Sequence, residues 1–113
     1  MNATPLVLGH DAEGRPTASP PGGTEDMALA GLARFLGEEV HWPYYASLLL
    51  DQAIEAQETG ESTTASGDAY AVQFDRDAAT IEHLYRTGQP PVVVPIETLI
   101  AALRDWCDHI SGV

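Results

Sequence analysis

The chain has no lysine, and its only basic residues are five arginines set against seventeen acidic residues, for a formal net charge of −12. Binding to nucleic-acid phosphates takes lysine and arginine, so DNA and RNA are excluded as direct partners. There is one cysteine, Cys107. An internal disulfide is therefore ruled out, which fits a reducing compartment. No run of about 18 apolar residues exists, so no membrane-spanning helix is expected and no membrane partner is assigned. The opening residues Met1 to Asp11 carry no basic cluster and only a short apolar run. They do not read as a signal peptide, and a cytoplasmic location is the expectation. Catalytic signatures are missing too: there is no nucleophile elbow, no phosphate-cradling glycine loop and no dinucleotide fingerprint.

What is present is enough for one folded domain, taken as residues 1–113. Apolar residues make up 44% of the sequence, too many for a disordered chain of this length. A chain of 113 residues buries roughly two-thirds of its unfolded surface, so it folds without a metal or a disulfide. Pro/Gly clusters at 19–23 and 86–91 mark loops inside that domain.

The clearest pattern is central. Tyr70, Val72 and Phe74 alternate with Ala69, Ala71 and Gln73, the period of a half-buried strand. Asp75-Arg76-Asp77 breaks the pattern, and a second β-favouring run follows from Thr80 to Tyr85. Together they predict a β-hairpin. Glu61 to Ser66 reads as a short strand leading in. Near the N-terminus, Leu6-Val7-Leu8, the turn Asp11-Ala12-Glu13-Gly14 and Arg15-Pro16-Thr17-Ala18 predict a smaller hairpin. Pro16 confines its return strand to an edge.

Three helices are expected. The first spans Glu25 to Leu36, with Thr24 as N-cap and Gly37 as its end. The second spans Pro43 to Glu58, with Pro43 at the first position and Gly60 as C-cap. Tyr45, Leu48, Leu49 and Gln52 mark its inward side, widened by Leu50, Ala53 and Ile54. After a short β run at Val92 to Val94, the third spans Pro95 to Ile110. Its apolar stripe is Ile96, Leu99, Ile100, Leu103, Trp106 and Ile110. The order predicts an α+β fold: a small antiparallel sheet, with an N-terminal and a central hairpin, packed by the three helices on one face.

Few constellations offer chemistry. Glu38, Glu39 and His41 are the nearest approach to a metal cluster, with His10, Asp11 and His83 able to join only by folding. No spacing typical of metal ligands occurs, so no metal and no cofactor is assigned. Cys107 and His109 stand two apart on a helix and point to different faces. Paired carboxylates are abundant but fall on solvated faces and turns, not in apolar pockets. The chain is read as no enzyme.

The candidate site is a partner-binding surface. No basic residue lies between Arg34 and Arg76, an interval that holds Glu38, Glu39, Asp51, Glu55, Glu58, Glu61, Asp68 and Asp75. Asp51, Glu55 and Glu58 share one face of the second helix. Trp42, Tyr44 and Tyr45 stand nearby and are of the kinds favoured as interface anchors. The other reading of these aromatics, and the commoner fate of such residues, is packing of the helix entrance against the sheet. The other reading of the charge is ordinary solubility.

The residues also carry a resemblance. The turn Asp11-Ala12-Glu13-Gly14, the run Arg34-Phe35-Leu36-Gly37-Glu38-Glu39-Val40, the run Gly67-Asp68-Ala69-Tyr70-Ala71-Val72 and Pro95-Ile96 before a helix bearing Trp106 resemble, in order and spacing, the YacL-like group of small acidic bacterial proteins. The chain departs from the group at Ser19 to Gly23, where a Pro/Gly loop is inserted. The resemblance implies a small bacterial α+β domain and supplies no catalytic residue. By size and charge alone the chain is also similar to immunity proteins, which bind and neutralise a toxin domain. The expectation is a non-enzymatic acidic inhibitor of a basic toxin domain, using Glu38, Glu39, Trp42, Tyr44, Tyr45, Asp51, Glu55 and Glu58. The alternative is a homo-oligomeric accessory domain without a toxin, dimerising through the last helix or the edge at Val92 to Val94.

Overall fold

The central strands form because their apolar residues alternate, and the register puts those residues on one side. A computed structural model describes residues 6–22, 26–86, 88 and 90–111. Strands β3 (Thr63–Ser66), β4 (Tyr70–Phe74), β5 (Ala78–His83) and β6 (Val92–Pro95) make an antiparallel four-stranded sheet in that order. Val72 lies opposite Ile81, Phe74 opposite Ala79, and Ala79 opposite Val94. All five are buried, together with Tyr70, whereas Gln73, Glu82 and Val93 face outward and are exposed. The pairing fixes the inward face, since a slip of one residue would expose every one of these side chains.

The second hairpin strand begins at Ala78 and ends at His83, earlier at both ends than the Thr80–Tyr85 run predicted from sequence. The cause is the tight turn: Asp75 N–H donates to the Ala78 carbonyl, so pairing resumes at once. Pairing stops where β4 starts, with Tyr70 opposite His83, which leaves Leu84 and Tyr85 outside the ladder and exposed.

The N-terminal hairpin is a separate two-stranded sheet of β1 (Val7–His10) and β2 (Pro16–Ser19). Asp11 holds its turn, accepting from the backbone N–H groups of Glu13 and Arg15 and from the Arg15 guanidinium.

Helix α1 runs from Met27 to Glu39, not from Glu25 to Leu36. Its N-cap is Asp26, whose carboxylate accepts from Ala28 and Leu29 N–H; Thr24 and Glu25 lie outside the described residues. Gly37 does not end it. A helical glycine costs only about 1 kcal/mol, less than the gain from burying Val40 just beyond the helix. Helix α2 (Pro43–Thr59) ends as predicted on Gly60, left-handed at φ 78°. The Arg76 guanidinium lies against that glycine, where a cation suits the helix C-terminus. Helix α3 (Ile96–Ser111) starts directly from β6, and Pro95 belongs to the strand.

All three helices pack on the inward face of the four-stranded sheet, and α2 lies along α3. The core joins Phe35, Leu36, Leu49, Leu99, Leu103 and Trp106 to the buried sheet residues. On α2 the inward stripe is Ala46, Leu49, Ala53 and Ala56. Leu48, assigned inward from sequence, faces solvent instead. Three of the four buried residues are alanines, and α2 packs on α3.

Candidate functional site

The outward face of α2 follows from what the core takes. With Ala46, Leu49, Ala53 and Ala56 inside, Tyr44, Leu48, Asp51, Glu55 and Glu58 come to the surface in one line. Their spacing of four, three, four and three residues is that of a single helix face. The line has two halves, an apolar one at the N-terminus and an acidic one at the C-terminus.

Pro43 builds the apolar end. It disfavours helical backbone in the preceding residue, and Trp42 is held extended as the N-cap with no side-chain capping bond. The indole is thus released from the helix. Trp42 is 72% exposed, Tyr44 80% and Leu48 45%. The packing reading of the aromatics therefore fails for Trp42 and Tyr44 and holds only for Tyr45, which is half-buried. Burial, then the charges of Glu39 and Asp68, push the Tyr45 phenol above its ordinary value. Among the described residues, no arginine or histidine lies within ion-pairing distance of Asp51, Glu55 or Glu58.

Glu38 and Glu39 are placed differently, since the chain itself occupies both. The Glu39 carboxylate accepts from Ala69 N–H at 3.2 and 3.4 Å and anchors the β3–β4 turn. Glu38 accepts from the Tyr70 hydroxyl at 2.7 Å and pairs with Arg86 at 3.3 Å. Tyr70 also stacks edge-on against Phe35 and His83. Its phenol is pushed well up, first by burial and then by the Glu38 hydrogen bond and charge.

The histidines and the cysteine are dispersed. His41 Nε2 faces the Gly37 carbonyl, and His83 Nδ1 accepts from Tyr85 and Arg86 N–H. His109 Nε2 donates to the Gly9 carbonyl at 2.8 Å, tying α3 to the N-terminal hairpin. Cys107 points instead toward the Pro43 carbonyl. Among the described residues, no three His, Cys, Asp or Glu side chains converge as metal ligands. No described helix is long and apolar enough to cross a membrane.

A second feature went unread in the sequence. A cleft of about 540 Å³ opens between the N-terminal hairpin, α1 and the end of α3. Its walls come from residues 11–18, 33–41 and 106–110, three segments that no local pattern connects. The sequence marked Trp106 as part of the apolar stripe of the last helix and Arg34 as the start of the interval without basic residues, and nothing in it brings the two together.

Comparison with known protein families, with curated proteins and with solved structures finds no match. The resemblance to the YacL-like group rests on its short motifs alone.

Proposed function

We propose that this chain is a non-enzymatic binding protein that engages a basic protein partner through the outward face of α2. In its most concrete form it is an immunity-type inhibitor, and the partner is a bacterial toxin domain. The observation that carries the reading is the two-part line on α2. Tyr44 and Leu48 form the exposed apolar half of that line, and Trp42 is exposed just before it at the N-cap; residues of these kinds dominate interface energetics. Asp51, Glu55 and Glu58 continue it with uncompensated charge, which steers an oppositely charged partner and speeds encounter. Solubility accounts for scattered acidity, but not for exposed aromatics aligned with it. Tyr45 is half-buried against the core, beside Glu39 and Asp68. Glu38 and Glu39 are already engaged by Arg86, Tyr70 and Ala69, so they contribute to the acidic field rather than as free contacts.

The test is affinity capture from the source-cell lysate at low salt, comparing the natural chain with Asp51→Lys/Glu55→Lys. The natural chain is expected to retain one basic protein at equal stoichiometry, and the variant to lose it. Co-expression with the natural chain should relieve that protein's toxicity, and the association rate should fall steeply as salt rises. A captured protein held equally by both chains, or one whose association ignores salt, would refute the α2 assignment.

A further inference from the structure

The two free edges of the four-stranded sheet are built differently. The order β3-β4-β5-β6 leaves β3 and β6 each with one unpaired side. Both strands are four residues long, so length does not separate them. Hydrogen bonding fixes which residues face outward. Gly67 N–H donates to the Tyr70 carbonyl at 2.8 Å, and Asp75 N–H to the Ala78 carbonyl at 2.9 Å. Antiparallel pairs alternate between hydrogen-bonded and non-hydrogen-bonded. Thr63 and Ala65 therefore turn their backbone groups toward β4, and Thr64 and Ser66 turn theirs out. The same alternation along β5 and β6 puts Val93 and Pro95 on the outer side of β6.

The β6 edge is blocked. Pro95 has no N–H, and Pro91, just before the strand, has none either. Helix α1 also packs on β6, with Gly31 close against the Val92 side chain. Proline at outward positions keeps another strand from adding to an edge. The β3 edge has no such device. No proline or charge interrupts Thr63–Ser66, and its outward residues, Thr64 and Ser66, are exposed. Among the described residues, no hydrogen bond reaches the outward N–H or C=O groups of either. Donors and acceptors thus line this edge at the spacing of a strand.

We propose that the β3 edge is a docking site for an extended peptide segment of a basic protein, which adds to the sheet as a strand beside β3. Charge selects the occupant. Glu61 and Asp68 flank the strand, both are exposed, and among the described residues neither is ion-paired. An antiparallel segment with Lys or Arg at the same spacing, around an uncharged β-favouring run, brings each cation near one of these carboxylates. A second copy of this chain fits badly. Pairing β3 antiparallel with itself sets Glu61 of each copy near Asp68 of the other, between chains of net charge −12. The edge is separate from the outward face of α2, and a peptide alone tests it, so it stands or falls independently of that reading.

The test is an NMR titration of the full chain with the peptide acetyl-Lys-Thr-Val-Thr-Val-Thr-Val-Lys-amide, read with amide hydrogen exchange. In the free chain the Thr64 and Ser66 amides should exchange quickly and the Ala65 amide slowly. Saturating peptide should slow Thr64 and Ser66 about tenfold or more, with a dissociation constant of about 0.1–1 mM. A peptide with glutamate in place of both lysines should bind about tenfold or more weakly. One N-methylated at every threonine and valine should not bind, because it has lost the donors of the ladder. Glu61→Lys/Asp68→Lys, at exposed positions, should reverse the preference between the lysine and glutamate peptides. Unchanged exchange at Thr64 and Ser66, equal affinity for the two charged peptides, or shifts centred on Val93 would each overturn the assignment. Slow exchange of Thr64 and Ser66 in the free chain, with a concentration-dependent dimer in sedimentation, would overturn it in favour of a second copy. The comparison of peptides needs no variant, so it decides the matter even where a substitution impairs folding.

Discussion

The indole N–H of Trp106 donates to the backbone carbonyl of Val40 at 2.7 Å, across 66 residues of chain, and both residues are buried. Val40 is the C-cap of α1, so its carbonyl belongs to the end of a helix, where acceptors lack internal partners. One bond therefore satisfies a buried donor on α3 and closes α1. Trp106→Phe keeps an aromatic ring but leaves that carbonyl unpaired and opens a small void. The expected cost is about 2–4 kcal/mol, read as a lower urea midpoint at unchanged slope. Trp42→Phe, at an exposed position, should change stability by less than about 0.5 kcal/mol.

The same bond shows where sequence reading stops. The stripe containing Trp106 was legible from its period, and so was the alternation that buries Tyr70, Val72 and Phe74. Both depend on neighbours a few residues apart. The end of α1 was not legible, because Gly37 is a plausible stop and the burial of Val40 that overrides it is decided by α3. The side of α2 was misjudged at Leu48 for a related reason. Leucine is more apolar than alanine, yet the residues α2 buries are Ala46, Leu49, Ala53 and Ala56, and Leu48 stays outside. Trp42 was open between burial and exposure, and only the extended backbone before Pro43 settles it. The cleft lay beyond reach altogether, since its walls are brought together by packing of the hairpin rather than by spacing.

Two glycines in α1 make opposite predictions. At Gly31 an added Cβ would stand 2.6 and 2.8 Å from the two methyl carbons of Val92 on β6. The helix and the sheet edge would have to part, at about 1–3 kcal/mol, against a helix-propensity gain of up to about 1 kcal/mol. Gly31→Ala is expected to destabilise the protein. At Gly37 nothing lies within 4 Å of the added atom, and only the propensity gain remains. Gly37→Ala should stabilise by about 0.5–1 kcal/mol. Thermal unfolding checks the pair: the midpoint should fall for the first and rise by a few degrees for the second. Matching shifts of one sign would mean that α1 does not pack on Val92 as described.

Tyr70 sets the alkaline limit of the fold. Burial first, then the hydrogen bond to Glu38 and the Glu38 charge, raise its phenol well above the ordinary value of 10.0, with Arg86 and Arg34 opposing in part. Tyr45 is raised as well, by burial and then by Glu39 and Asp68. A raised folded-state value means that the folded protein holds the proton more tightly than the unfolded chain. Below pH 10 both states are protonated and the contribution is complete. As pH rises past 10 the unfolded chain ionises first, so stability drains away until the folded-state value is passed. Urea midpoints measured at steps above pH 10 should therefore decline steeply for the natural chain. Tyr70→Phe loses the bond to Glu38 and should be less stable at neutral pH by about 1–2 kcal/mol. Its alkaline decline should nonetheless be shallower, because one of the two raised phenols is gone. Phenolate absorbance should rise late for Tyr70 and Tyr45 and near pH 10 once the chain is unfolded. An alkaline decline of equal steepness in the variant would show that the Tyr70–Glu38 pair does not govern it.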